Sequence, residues 1–229
     1  MLFRSVMRRA LMMPTANALT FEGASLTFED LAQNILAAAR LLTGLGVNKG
    51  DRVGYIGLNH PRLLEVLYAS SLIGAVLVPI NYRLTPQEIA FIAEDAGLHV
   101  LCADQAAATV LEQGLERLRC AHFLGVDFEN SVWQSMQNLL IARSQPLDAS
   151  HAEASHAECA VVSKDDIALI MYTSGTTGRP KGAQLTHGNI FWNLLNAKFM
   201  EETMRQATLT CAPLFHIGGL NVTTHPSLV

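Results

Sequence analysis

Apolar runs of strand length alternate with segments of helical period from Leu26 onward, and this alternation constrains the fold more than any other feature. Thr27 and Asp30 form a capping-box-like start, followed by Leu31, Ile35, Ala38, Leu42 and Leu45 at steps of three and four. Gly44 and Gly46 end that helix, and Asp51 to Gly57 has the character of a short buried strand. Pro61 opens a second helix that runs to Ile73; Gly74 breaks it, and Ala75 to Ile80 is the next strand. Thr85-Pro86-Gln87-Glu88 combines a threonine cap, a proline in the first turn and a glutamate three residues on, the strongest helix start in the chain. Gly97 stops that helix before a strand at His99 to Ala103, a weaker helix through Leu115 and a strand near His122 to Val126.

Strand, helix, strand with short breaks predicts βαβ units and a parallel sheet. Adjacent apolar residues within the strands suit a sheet covered on both faces. The expected class is therefore α/β, with parallel βαβ sheet layers covered by helices. Residues 1–141 would form a first α/β subdomain. Residues 142–166, rich in Ala, Ser, His and acids, would be a mobile connection, and 167–229 would begin a second unit. His151 and His156 lie in that connection, where no fixed scaffold would hold a metal.

At 229 residues, half of them hydrophobic and 16% charged, the chain can bury a sizeable core and is far from disordered composition. Mean hydropathy of +0.24 suits a strongly buried sheet, or a surface that expects a partner. A net charge of −4 without a basic run argues against nucleic-acid binding. The cysteines Cys102, Cys120, Cys159 and Cys211 form no CxxC pair, so neither a zinc site nor a disulfide framework is indicated. Cys102 and Cys211 lie in apolar runs and are expected to be buried, and a reducing, cytoplasmic setting fits. No apolar stretch is long enough for a transmembrane segment. The first residues, MLFRSVMRRALMMP, faintly resemble a transit peptide, but their amphipathic pattern favours a docked N-terminal helix.

Chemistry concentrates after the predicted strand Ile167 to Tyr172. There Thr173-Ser174-Gly175-Thr176-Thr177-Gly178-Arg179-Pro180-Lys181-Gly182 gathers glycines, hydroxyls and a lysine. Glycines let a backbone approach a ligand closely, and successive N–H groups in such turns form an anion-binding nest. Hydroxyls add neutral donors and Lys181 a mobile positive charge, a combination suited to a polyphosphate. Walker A needs a Gly-Lys step that the chain lacks. Gly44, Gly46 and Gly50 follow a helix and miss the dinucleotide spacing. Ser174 lacks the Gly-x-Ser-x-Gly context of a nucleophile elbow.

The segment Tyr172 to Gly182, YTSGTTGRPKG, closely resembles the signature phosphate loop of the adenylate-forming superfamily. That superfamily includes acyl-CoA synthetases, firefly luciferase and nonribosomal peptide adenylation domains. Leu26 to Leu31 (LTFEDL), Gly74 to Leu84 (GAVLVPINYRL), Leu185 to Asn189 (LTHGN) and Ala212 to Leu220 (APLFHIGGL) resemble further motifs of the family, the last in the form common among CoA ligases. Residues around 103–165 carry no family signature.

The resemblance implies a reaction that joins a carboxylic acid to ATP as an acyl-adenylate and then passes the acyl group to CoA. No protein nucleophile is needed, so catalysis is positioning and stabilisation of phosphate charge. It assigns Thr173, Ser174, Gly175, Thr176, Thr177, Gly178 and Lys181 to ATP, with Mg2+ helping to neutralise the phosphates. It places His216 beside the acyl carboxylate and the route of CoA, where Gly218 and Gly219 would leave room for substrate or only shape the turn. His187 would serve a helix start.

Later motifs of the family are absent from the chain: the Tyr-Gly-x-Thr-Glu segment, the Thr-Gly-Asp segment, the hinge and the C-terminal lysine. The expectation is an N-terminal fragment of an acyl-CoA synthetase acting on a fatty or other carboxylic acid, with little activity of its own. ATP–pyrophosphate exchange at an ordinary rate would contradict that expectation. Apolar surface left exposed would favour self-association. A non-catalytic remnant or binding module and an amino-acid adenylation domain are the alternatives.

Overall fold

The computed structural model describes residues 2–142, 160–173, 179–200 and 207–228. The expected phosphate contacts Ser174, Gly175, Thr176, Thr177 and Gly178, and the connection's His151 and His156, lie outside the described residues.

The chain opens with α1 (Leu2–Met12) and a hairpin of β1 (Asn17–Phe21) and β2 (Ala24–Thr27), then α2 (Phe28–Gly44) and β3 (Arg52–Ile56). There follow α3 (Pro61–Ile73), β4 (Val76–Ile80), α4 (Pro86–Ala96), β5 (Leu98–Ala103), α5 (Gln105–Leu111) and β6 (His122–Gly125). A short β7 (Gln134–Ser135), α6 (Met136–Ile141), β8 (Ile167–Thr173), β9 (Lys181–Thr186), α7 (His187–Met200), a π-helical turn Gly219–Thr224 and α8 (His225–Leu228) complete it.

The helix boundaries have local causes. Thr27 caps α2 through a reciprocal pair with Asp30: the Asp30 N–H donates to Thr27 Oγ1 at 3.1 Å and the Thr27 N–H to Asp30 Oδ2 at 2.9 Å. Thr85 and Glu88 repeat the device at α4. Gly74 and Gly97 close α3 and α4 in the left-handed conformation, at φ 74° and 62°. α1 is docked as its amphipathic pattern predicts: Val6 and Ala10 enter the core, and the Arg9 guanidinium lies 5.3 Å from the centre of the Phe28 ring.

Seven strands form one sheet in the order β7-β6-β5-β3-β4-β8-β9. All neighbours are parallel except β8 and β9, which form an antiparallel hairpin at the edge. Strands on both sides of residues 142–166 thus share a sheet, joined through the pairing of Leu77 with Leu169. From β3 the chain steps one way to β4; from β4 it returns past β3 to β5. With right-handed crossovers these connections fall on opposite faces. Residues of α2 and α3 accordingly pack into one apolar cluster, and those of α4 and α5 into another. Each fully buried leucine of α3, such as Leu67 and Leu72, contributes about 2 kcal/mol of transfer free energy.

Cys102 is buried as expected, and burial pushes its thiol pKa up to about 12. Cys211 is exposed, contrary to expectation, because its apolar neighbours belong to a turn at the surface rather than to a strand. Among the described residues no helix is long and apolar enough to cross a membrane.

Candidate active site at the carboxyl edge of the sheet

Adjacent parallel strands whose following helices diverge to opposite faces leave a crevice outside their carboxyl ends. Here those strands are β3 and β4. The crevice is bordered by Leu58, Asn59 and His60 after β3, and by Asn81, Tyr82 and Arg83 after β4. Asp104, at the end of β5, steadies its rim. One carboxylate oxygen accepts from the Leu58 N–H at 2.8 Å, and the other caps α5 through the Ala107 N–H at 2.8 Å. His60 caps α3 by accepting from the Arg62 N–H at 3.1 Å. Its pKa is lowered, first by burial and then by Arg62, which keeps the ring neutral at neutral pH.

Beside this crevice, β8 lies parallel to β4, so Thr173 leaves the sheet at the same edge. Thr173 and Lys181 are direct cross-strand partners at the loop end of the β8–β9 hairpin. Directly opposed residues of an antiparallel pair share one face. The hydroxyl and the ammonium therefore stand side by side, both exposed, at the end of β8 and the start of β9. That pair can serve as the two posts of an anion site. Behind it, the Tyr172 hydroxyl donates to Asp95 of α4. After β9, Thr186 and Asn189 cap α7 reciprocally at 2.9 and 3.1 Å.

His187, the first residue of α7, is 2% exposed, and burial drives its pKa down to about 4. Neither ring nitrogen has a hydrogen-bond partner among the described residues; the cap of α7 is made by Thr186 and Asn189.

Residues 212–220 fold as a tight turn against the crevice. The His216 N–H donates to the Pro213 carbonyl at 3.1 Å, His216 Nδ1 accepts from the Gly218 N–H at 3.2 Å, and the Leu220 N–H donates to the His216 carbonyl at 3.2 Å. His216 is exposed on this turn. A Cβ on Gly219 would sit 2.3 Å from the Pro213 carbonyl oxygen, so Gly219 shapes the turn rather than leaving room for a ligand. Asn59 grips the turn with both ends of its amide, and the Phe215 ring meets Tyr82 edge-on at 5.5 Å. The structure thus gathers Thr173, Lys181 and His216 at one edge of the sheet. Asn59 was not singled out in the sequence; its only local signal is a polar residue between a strand end and a Pro-initiated helix.

An open cavity of about 550 Å³ runs from Lys49, Arg52 and Asp166 at the amino ends of β3, β4 and β8 along the β8–β9 hairpin, past Gln184 and Asp95, to Tyr172 and Gly182. Lys49 pairs with Asp166 at 2.8 Å there and holds its carboxyl below the usual range. The conserved geometry of open α/β sheets favours the carboxyl edge. Among the described residues no three His, Cys, Asp or Glu side chains gather as a metal seat.

The model of the AMP-binding enzyme family matches residues 6–229. A feruloyl-CoA synthase from Amycolatopsis sp is 38% identical over 224 residues, 97% of this chain and 41% of that protein. An indoleacetate–CoA ligase from Aromatoleum aromaticum is 32% identical over 222 residues, covering 96% of this chain and 42% of its own length. The solved o-succinylbenzoate CoA synthetase from Bacillus subtilis, in complex with an acyl-adenylate intermediate, superposes with a TM-score of 0.73 at 27% identity, over 98% of this chain and 53% of that one. The chain spans about two fifths of the length of the curated relatives it matches.

Proposed function

Because the chain belongs to the AMP-binding enzyme family, we propose that it supplies the phosphate-binding portion of an ATP-dependent carboxylate–CoA ligase acting on an aromatic acid. The observation that carries this reading is the pairing of Thr173 with Lys181 at the carboxyl edge of the sheet, at the mouth of the glycine-rich loop.

In the proposed reaction the substrate carboxylate attacks the α-phosphorus of ATP, releasing pyrophosphate. Lys181 and the Thr173 hydroxyl hold the outer phosphates, joined by the hydroxyls and N–H groups of Ser174, Gly175, Thr176, Thr177 and Gly178. Donors fixed before the reaction stabilise developing charge without reorganising. Mg2+ entering with ATP would help neutralise the phosphate charge alongside Lys181 and the loop's own donors. His216, exposed on its turn, borders the acyl carboxylate and the approach of the CoA thiol.

Feruloyl, indoleacetate and o-succinylbenzoate are aryl acids, which supports an aromatic substrate among the fatty or other carboxylic acids that the motifs allow. Each relative is named for CoA, which supports a thiol acceptor rather than a carrier protein.

The test is ATP–pyrophosphate exchange by the native protein with ferulate, indoleacetate and a straight-chain fatty acid, with the 229-residue chain assayed beside it. Exchange is expected with an aryl acid at least tenfold above the fatty acid, and tenfold lower in Lys181→Ala. No exchange with any of these acids would overturn the proposal.

A further inference from the structure

Among the described residues, His216 is held by hydrogen bonds only relative to its own turn. Its three hydrogen-bond contacts all stay within residues 213–220. Something outside the turn must set where that rigid unit sits against the crevice.

Apolar contact supplies adhesion there. Leu214 and Leu220 are buried, and Phe215 meets Tyr82. Such packing is non-directional and tolerates sliding. Hydrogen bonds are directional, and a misplaced partner loses them. Asn59 Nδ2 donates to the Ala212 carbonyl at 3.0 Å, and Asn59 Oδ1 accepts from the Leu214 N–H at 2.8 Å. One side chain therefore engages a carbonyl and an N–H two residues apart, as a neighbouring strand would. Pro213, between them, has no N–H to offer a competing register.

The clamp is itself anchored. Asn59 lies between Leu58, whose N–H is held by Asp104, and His60, which caps α3. A shift of the Asn59 amide would have to move the end of β3 or the first turn of α3.

We propose that Asn59 is a positioning residue that fixes the register of the 212–220 turn and so places His216 at the crevice. As a role in catalysis this rests on the ligase reading above; as a structural clamp it does not. Asn59→Ala removes both bonds. Asn59→Asp keeps the acceptor for Leu214 but sets a carboxylate oxygen against the Ala212 carbonyl.

Two measurements test it. The first is amide hydrogen exchange in the 229-residue chain. In Asn59→Ala the Leu214 N–H is expected to lose at least tenfold protection, while amides of Arg52–Ile56 keep theirs; Asn59→Asp should fall between. Unchanged protection at Leu214, or equal loss in both places, overturns the clamp. The second is adenylation kinetics of the native protein, where Asn59→Ala is expected to lower kcat at least tenfold with KM for ATP within threefold. Lost protection with unchanged kcat overturns the catalytic role of the clamp. Lost protection in a native protein that shows no adenylation refutes the ligase reading and leaves the clamp standing.

Discussion

Lowering the pH from 7 to 5 should destabilise this fold, and His225 carries a separable share of that loss. Its ring is fully buried, 5.7 Å from that of Tyr68, and neither ring nitrogen has a hydrogen-bond partner among the described residues. Burial drives its pKa down to about 3, so the folded ring stays neutral at pH 5. In the unfolded chain the same group titrates at about 6.5. The unfolded state therefore binds more protons throughout the window from pH 6.5 down to the folded pKa, and stability falls as the pH falls.

At pH 5 protonation favours the unfolded chain by about 2.1 kcal/mol, of which about 0.2 is already present at pH 7, leaving a loss of about 1.9 kcal/mol. The figure barely depends on the folded pKa, because a value one unit higher changes it by less than about 0.1 kcal/mol. The assay is urea unfolding at both pH values, followed by fluorescence of the buried Trp133, for the natural chain and for His225→Leu. The other histidines contribute to both proteins and cancel in the comparison. The natural chain should lose about 1.9 kcal/mol more than the variant. Losses that agree within about 0.5 kcal/mol would mean that the ring reaches a partner or solvent, and the reasoning would fail.

Two further outcomes follow from buried geometry. Arg62 donates to Glu65, which is 1% exposed and also accepts from Asn34 at 2.8 Å. Arg62→Met should destabilise by about 3 kcal/mol in urea unfolding, since it leaves a buried carboxylate without its cation. Gly219→Ala should raise hydrogen exchange across residues 212–220 at least tenfold, because its Cβ would meet the Pro213 carbonyl oxygen at 2.3 Å. Gly218→Ala, whose Cβ would lie 3.5 Å from His216 Nδ1, should leave exchange there unchanged.

Much of the scaffold was legible because its causes are local. The caps at Thr27 and Thr85 act within three residues, and the left-handed glycines at 74 and 97 act within one turn. Strands buried on both faces announce themselves as apolar runs. β9 did not, since Lys181 to Gln184 are exposed and carry no such run; its strand character comes from pairing with β8. The β1–β2 hairpin turns at Glu22 and Gly23, both at positive φ, a signal short enough to be passed over. Of the candidate site, Lys181, Thr173 and His216 were found through long motifs. Asn59 was missed because its partners lie 153 and 155 residues away, and no pattern of neighbours encodes that.

That separation also bears on the order in which the molecule assembles. Contacts close in sequence form at little entropic cost, whereas distant ones must wait for the chain between them to be organised. Strands β3 to β6 and their helices can pair while the chain is still being synthesised, since every partner lies within residues 52–125. The amide of Asn59 is then in place early, facing solvent. It acquires its partners only after Ala212 and Leu214 have been made and the β8–β9 hairpin has joined the sheet. Scaffold precedes site, so a chain slowed or halted before residue 212 would hold a nearly complete sheet edge with nothing yet seated upon it.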